Sequence, residues 1–430
     1  MMLPPILEIY VVWHPRDRGG LLVSDVMVNH FQGSTFSGLI GGAIEVYIRS
    51  EGWRSPTDAP RPIPFPTPDG EDPDGSPQQQ LFTAVVPVVG TELAAAVEPG
   101  TGPWYEYLTE IVRAQERNPD RVAIFPVATE SSAAHGTVLG KILEPFHGIG
   151  RGRMATGEER SRTWCRDLAQ GVAQHFGAPR GPFGGDAGRR LTVFISHTNE
   201  VDASRGETDI GIAERVRTIV ARTRLNEFFS ASDLQPGRHW SRELTEKAAS
   251  SALLAVRTST FASRPWCQRE MLLAKTAGMP IVVLDALEHP EERGSFLMDH
   301  VPRVRVRREA DGWRDDDILA GLNLLVDECL KHALWHRQGQ LAATEVSAVP
   351  PAAAATWWAP HAPEPVTLVA WLREQIDDGH LPAEGPIRIV HPDPPIGPDE
   401  QAVLEQIVRL AGLANPLDIV TPRMLAARVP

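Results

Sequence analysis

The sequence predicts an α/β protein made of two domains with mostly parallel sheets, followed by a smaller α/β segment. Three observations carry this. Short apolar or β-branched runs alternate with helical periodicity twice, from Leu7 to Val127 and from Leu191 to His336, the rhythm of strand–helix–strand crossovers. A Gly/Pro run at 177–188, GAPRGPFGGDAG, separates the two stretches. An Ala/Pro segment at 342–365 then sets off the tail. The expected layout is an amino-terminal domain over 1–130, a connecting region over 131–189 and a second domain over 190–338. A linker over 339–365 and a small α/β segment over 366–430 complete it.

In the first domain, Leu7 to Val12 (LEIYVV) is aromatic and β-branched enough for a buried strand, and Leu21 to Phe31 has apolar residues at helical spacing. Ala43 to Ile48 and Leu81 to Val89 read as strands. Residues 55–80, dense in Pro, Gly and Asp, read as a long loop. Tyr105 to Arg117 is helical, and Arg121 to Val127 follows as a strand after Asn118-Pro119. Two segments invite a ligand-loop reading: Trp13-His14-Pro15, and the glycines between Gly33 and Gly42. The latter lack the order and the lysine of a phosphate-binding P-loop, so close packing of small residues explains them better. A helix over Ser161 to Phe176 ends the connecting region.

The second domain opens with the buried strand Leu191 to Ile195. The helix Ile210 to Arg224 follows, with Ile212, Val216, Ile219 and Val220 on one stripe. Next come the strand Leu225 to Phe229, the loop SASDLQPGRHW, the helix Ser241 to Ser250 and the strand Ala252 to Val256. Met279 to Leu284 and Val301 to Val306 are further strands, and Asp317 to His336 is a closing amphipathic helix. In the tail, helices over Val366 to Asp377 and Asp399 to Leu413 alternate with strands at Ile387 to Val390 and Leu417 to Val420.

The composition narrows the function. A net charge of -13 argues against a sequence-independent grip on nucleic acid, which needs basic patches to displace counterions. Cys165, Cys267 and Cys329 are widely spaced and odd in number, so neither a disulfide framework nor a zinc site is expected, and a reducing cytoplasm fits. The amino terminus lacks a basic region and reads as a strand rather than a signal peptide. Nowhere do about 18 apolar residues run together, so no spanning helix and no membrane partner are expected.

The best site candidate is Ser259 to Gly278, STFASRPWCQREMLLAKTAG. Ser263 is placed to cap a helix whose first turn takes Pro265 and which Gly278 closes. Trp266 and Glu270, four apart, then share a face where a strand hands over to a helix, the usual place for ligand crevices in open sheets. On pattern alone, Glu270 is equally well a solvated glutamate near a helix start. Trp266 suits packing better than a ligand platform. Cys267 suits a small buried apolar role rather than a nucleophile. Ser196 and His197, after the first strand, stand where a nucleotide's ribose or phosphate would lie, and a plain polar loop is the competing reading. Asp233 and Arg238 flank the turn pair Pro236-Gly237. Arg257 and Arg264 bracket the motif and are candidates for a pyrophosphate.

In order, VFISH, FFSASDLQPGRHW, RTSTFAS and PWCQRE resemble the Toll/interleukin-1 receptor (TIR) family in its bacterial members, over about a third of the chain. The resemblance implies a flavodoxin-like parallel sheet and cleavage of the nicotinamide–ribose bond of NAD. It implies Glu270 as the catalytic carboxylate, matching the glutamate of a W-C-x-x-E motif, with Trp266 and Cys267 at the preceding motif positions. Ser196, His197, Asp233, Trp266 and Arg264 are the accompanying substrate-binding candidates. NAD is substrate, and no cofactor or metal is implied. The loop over 232–240 matches the segment that mediates contacts between TIR domains. Self-association, fusion to a sensor of an unknown trigger and a role in antiphage defence are implied with it. Basic residues common in the family's first loop are missing here beyond Arg205. The first domain, lacking a W-C-x-x-E equivalent, is expected to be an inactive TIR-like or other Rossmann-like domain for sensing or assembly. Two other functions fit the same residues: a non-enzymatic TIR scaffold, and a ribosyl-transfer enzyme acting on another base.

Overall fold

The computed structural model describes residues 6–39, 43–55, 58–65, 82–150, 157–176, 191–198, 201–202, 207–208, 210–223, 225–229, 250–291, 293–310, 312–349, 353, 355–381 and 384–428. The loop at 232–240, the helix expected over 241–250 apart from Ser250, and the Gly/Pro run at 177–188 lie outside them. The chain divides into two compact units, one ending at His175 and one running from Phe176 to Pro430.

The first unit contains β1 (Leu7–Val12), α1 (Arg18–Phe31), β2 (Ile44–Arg49), β3 (Phe82–Val89), α2 (Thr91–Val97), α3 (Pro103–Arg117), β4 (Val122–Ile124) and β5 (Val127–Ala128). Its sheet runs β2-β1-β3-β4, all parallel, with β5 paired to the end of β3. β3 is buried along its whole length, as a central strand covered on both faces must be. The strand expected over 121–127 is broken into β4 and β5 around Pro126, which has no N–H for the ladder. Three further helices, α4 (Ser131–Ala134), α5 (Val138–Leu143) and α6 (Gly157–Phe176), belong to this same unit. Residues 131–176 are therefore domain structure rather than a connector: Leu139 and Leu143 of α5 sit in the core with Leu93, Val97 and Trp104.

The second unit opens with β6 (Thr192–Ser196), the short antiparallel pair β7 (Val201–Asp202) and β8 (Glu207–Thr208), then α7 (Ile210–Val220) and β9 (Asn226–Phe229). β10 (Ala252–Arg257), α8 (Pro265–Thr276), β11 (Ile281–Asp285) and β12 (Arg303–Arg305) follow. The sheet order is β12-β11-β10-β6-β9, all parallel. Counted along the domain this is 2-1-3-4-5, the order of flavodoxin-type doubly wound sheets, which reverses direction between β6 and β10. β10 is its buried centre: Ala252 to Val256 are fully covered, each Leu or Val contributing about 1.5–3 kcal/mol of burial.

After a short hairpin, β13 (Arg308–Glu309) and β14 (Gly312–Trp313), comes α9 (Asp315–Ala348). This helix was expected to stop at His336. It continues because Gly339 lets Trp358 lie against it: a Cβ there would stand 2.5 Å from the indole ring. The supposed linker over 339–365 is thus helix to Ala348, and it also holds a strand, β15 (Ala355–Trp358). β15 pairs in parallel with β16 (Ile387–Val390), and β16 with β17 (Leu417–Val420). The helices α10 (Pro365–Asp377), α11 (Pro398–Leu410) and α12 (Pro422–Ala426) complete this segment.

Cationic side chains help tie the segment to the rest of its unit. Arg388, fully buried in β16, donates to the Val346 carbonyl at the end of α9 and to Asp418. Cationic donors suit the carbonyl end of a helix. Lys275 of α8 donates to both carboxylate oxygens of Glu364 at the start of α10, at 2.7 and 2.9 Å.

Candidate functional site

The site grows from the end of β10. Thr258 leaves the strand, Phe261–Ser263 form a single 3-10 turn, and α8 begins at Pro265, whose missing N–H costs nothing there. Ser263 does not cap α8. Its hydroxyl donates to the Thr260 carbonyl, and Arg264 occupies the cap position without a side-chain cap bond. Gly278, at φ +68, closes the helix as expected.

Glu270, one and a half turns into α8, is 2% exposed and points back to the sheet. Ser196, the last residue of β6, donates its hydroxyl to Glu270 Oε2 at 2.5 Å. Oε1 has no hydrogen bond of normal geometry among the described residues. Burial lifts the Glu270 carboxyl from its ordinary 4.5 to about 7, against weaker opposing pulls from the hydrogen bonds of Ser196 and Trp266. A carboxyl there is part acid and part carboxylate at neutral pH. Because β6 and β10 are the strands where the sheet order reverses, the pair Ser196–Glu270 stands at the topological switch point.

The other residues proposed from sequence fall out differently. His197 is buried, its Nδ1 lies 3.1 Å from the Thr198 carbonyl, and burial lowers its pKa, so it offers no cation to a phosphate. Cys267 is buried, with its thiol pushed up to about 12 and donating to the His197 carbonyl, so it is no nucleophile. Trp266 packs half-buried on the core formed by Phe194, Leu253, Cys267 and Met271, with Arg269 over its ring at 5.5 Å. Arg257 is not available to a pyrophosphate: Glu291 takes its guanidinium in a two-toothed pair and Asp285 lies 3.5 Å away. Arg264 occupies the cap position of α8, and Asp233 lies outside the described residues.

A hydroxyl cluster beside the pair was missed. Thr198, Thr258 and Thr260 line the same sheet edge, with hydroxyl oxygens 3.4 Å apart between Thr198 and Thr258 and 3.5 Å apart between Thr198 and Thr260. The available signal was that both adjacent strands are followed directly by Ser or Thr, at SHT and RTST. Among the described residues no group of three or more His, Cys, Asp or Glu is placed to hold a metal ion, and no helix is long and apolar enough to cross a membrane.

Comparison with known proteins adds little. No family model matches the chain, and no curated protein matches it. Among solved structures it is similar to tagatose-6-phosphate ketose/aldose isomerase from Escherichia coli, at 10% identity over 77% of this chain and 82% of that one. The TM-score of 0.18 is too low to carry an argument about fold or function.

Proposed function

We propose that the second unit is a TIR-type NAD glycohydrolase with Glu270 as its catalytic carboxylate. The observation that carries this is a buried carboxyl, shifted to about 7, held by Ser196 at the switch point of a 2-1-3-4-5 parallel sheet. The resemblance of PWCQRE and its neighbours to bacterial TIR enzymes supplies the reaction class.

In that reaction the bond from ribose C1′ to the nicotinamide nitrogen breaks and its electron pair leaves with the base. The base departs neutral, because it was cationic in NAD. No acid is needed to protonate the leaving group. The charge develops on the ribose, as an oxocarbenium-like centre that a nearby carboxylate stabilises. Water then bonds to C1′ and gives up a proton, which ionised Glu270 can accept, leaving nicotinamide and ADP-ribose. An attack by the adenine in place of water gives the cyclic isomer.

The burial of Glu270 supports a second reading, in which the carboxyl is structural and the domain is an assembly scaffold. Incubating the full chain with NAD, under dilute and crowded conditions, and measuring nicotinamide separates the two. Release that disappears in Glu270→Gln, with the circular dichroism spectrum retained, supports the enzyme. No release in any assembled condition refutes it, and release of bases from nucleosides alone would point to ribosyl transfer instead.

A further inference from the structure

We propose a second ligand site in the second unit, a cavity of about 290 Å³ where the end of α8 meets α9, β15 and α10, built for an uncharged planar heteroaromatic ring. It is separate from the Ser196–Glu270 pair and belongs to no step of the proposed reaction.

The walls are aromatic by construction. Trp358 of β15 stacks on Trp335 of α9, with ring centres 4.6 Å apart and planes 26° apart, and its indole N–H is fixed by the Trp335 carbonyl at 2.8 Å. Trp357 stacks on Trp371 of α10 at 5.5 Å and 12°. All four line the cavity. Such walls receive flat rings, or the cations that aromatic faces attract.

The polar groups weigh against anions. Lys275 is the one Lys or Arg of the wall among the described residues, and it is fully engaged, by Glu364 and by the Asp299 carbonyl at 2.8 Å. His332 is pushed down to about 4, by burial first and then by His361 and His336, so it is neutral at physiological pH. Among the described residues, no unpaired Lys or Arg of the wall is left for a phosphate or carboxylate ligand. Shape makes the remaining choice: a cavity of this volume between paired indole rings suits one or two fused rings, at the lower end of small-molecule pockets, rather than a compact quaternary ammonium ion.

The test uses the full chain and reads binding alone, so its outcome is independent of whether NAD is cleaved. Uracil, indazole, quinoxaline, tetramethylammonium and inorganic phosphate are titrated by calorimetry and ligand-observed NMR; none of the three rings is a part of NAD. At least one of the three rings binds with a Kd on the order of 0.1–1 mM, as suits ligands of this size, while tetramethylammonium and phosphate do not bind. Trp371→Ala removes a stacking wall. Ala362→Phe fills the cavity from an exposed position without deleting a contact. Each weakens ring binding about tenfold or more, and Glu270→Gln leaves it unchanged. Absence of binding by all three rings overturns the proposal. So does preference for tetramethylammonium or phosphate, binding that survives Ala362→Phe, or binding abolished by Glu270→Gln.

Discussion

Both units place a carboxylate beyond the ends of the first and third strands of a parallel sheet, and they treat it in opposite ways. In the first unit Asp17, following β1, accepts hydrogen bonds from the backbone N–H groups of Glu92 and Leu93, both at 2.9 Å, at the start of α2. Gly90 makes room, since a Cβ there would stand 2.4 Å from the Asp17 carboxyl carbon. In the second unit, among the described residues, Glu270 is held by side chains, the Ser196 hydroxyl and more weakly Trp266, and Oε1 keeps no partner of normal geometry. Helix amides occupy a carboxylate as a structural cap. Burial against only side-chain donors leaves Glu270 poised near neutrality. Asp17 thus fills the crevice of the first unit as a cap on α2, whereas Glu270 is the carboxylate that the proposed reaction would use.

The sharpest way to break this contrast is to neutralise each carboxylate in turn. Glu270→Gln keeps the shape and the Ser196 contact but removes the charge, and nicotinamide release should fall by about a thousandfold, on the scale of removing a main electrostatic stabiliser. Asp17→Asn should leave the rate per folded molecule unchanged. Equal losses in both variants would show that the two sites are not different in kind.

A second consequence is a dependence of stability on pH that belongs to Glu270. Its folded pKa, about 7, lies above the ordinary 4.5, so the folded state binds the extra proton between those values. Stability from this group is fully present below about pH 4.5, falls as pH rises to about 7 and is level above. The total change is about 3 kcal/mol. Urea unfolding of the second unit at pH 5 and pH 8 measures it, and Glu270→Gln should remove most of the difference. The proposed cleavage should run the other way, rising through pH 7 as the carboxylate forms.

Asp17 yields a smaller and purely structural effect. Asp17→Ala deprives α2 of two capping bonds and should destabilise the first unit by about 2 kcal/mol. The readout is hydrogen exchange at the Glu92 and Leu93 amides, which should lose protection before the β3 amides do. Unchanged protection would mean that Asp17 is a bystander.

How these two sites read from sequence differs for physical reasons. Glu270 was legible because the motif that carries it is local, a strand, a proline at a helix start and a glycine at its end all within 27 residues from Ala252, although its pairing with Ser196, 74 residues away, was not. Asp17 was not, because its partners are 75 and 76 residues away and a backbone amide leaves no mark in the sequence. The same rule sorts the arginines: Arg257 looked free until the fold brought Glu291 to it. Strand positions were legible nearly to the residue, since apolar runs report burial directly. The small helices α4 and α5 and the strand β15 were lost because four to six residues among Ala, Pro and Ser hold too little periodicity to read. The extension of α9 was hidden by Gly339, a helix breaker by propensity that is needed here for the approach of Trp358.

Ser196 tests the finest part of the contrast, since it is the stronger of the two side-chain donors, Ser196 and Trp266, that oppose the effect of burial on Glu270. It acts through Glu270 and is a positioning residue. Its hydroxyl favours the charged form, so Ser196→Ala should raise the Glu270 pKa further, by about one unit for one lost hydrogen bond. At pH 7 the ionised fraction then drops from about a half to about a tenth, and the rate about fivefold with it. At pH 9 most of that loss should return, because the carboxylate forms there even without its donor. A loss equal at both pH values would mean that Ser196 holds the substrate or the fold instead. The variant should also unfold more easily at pH 8 than at pH 5, by more than the parent does, because a buried carboxylate that has lost its stronger donor is costlier than a buried acid.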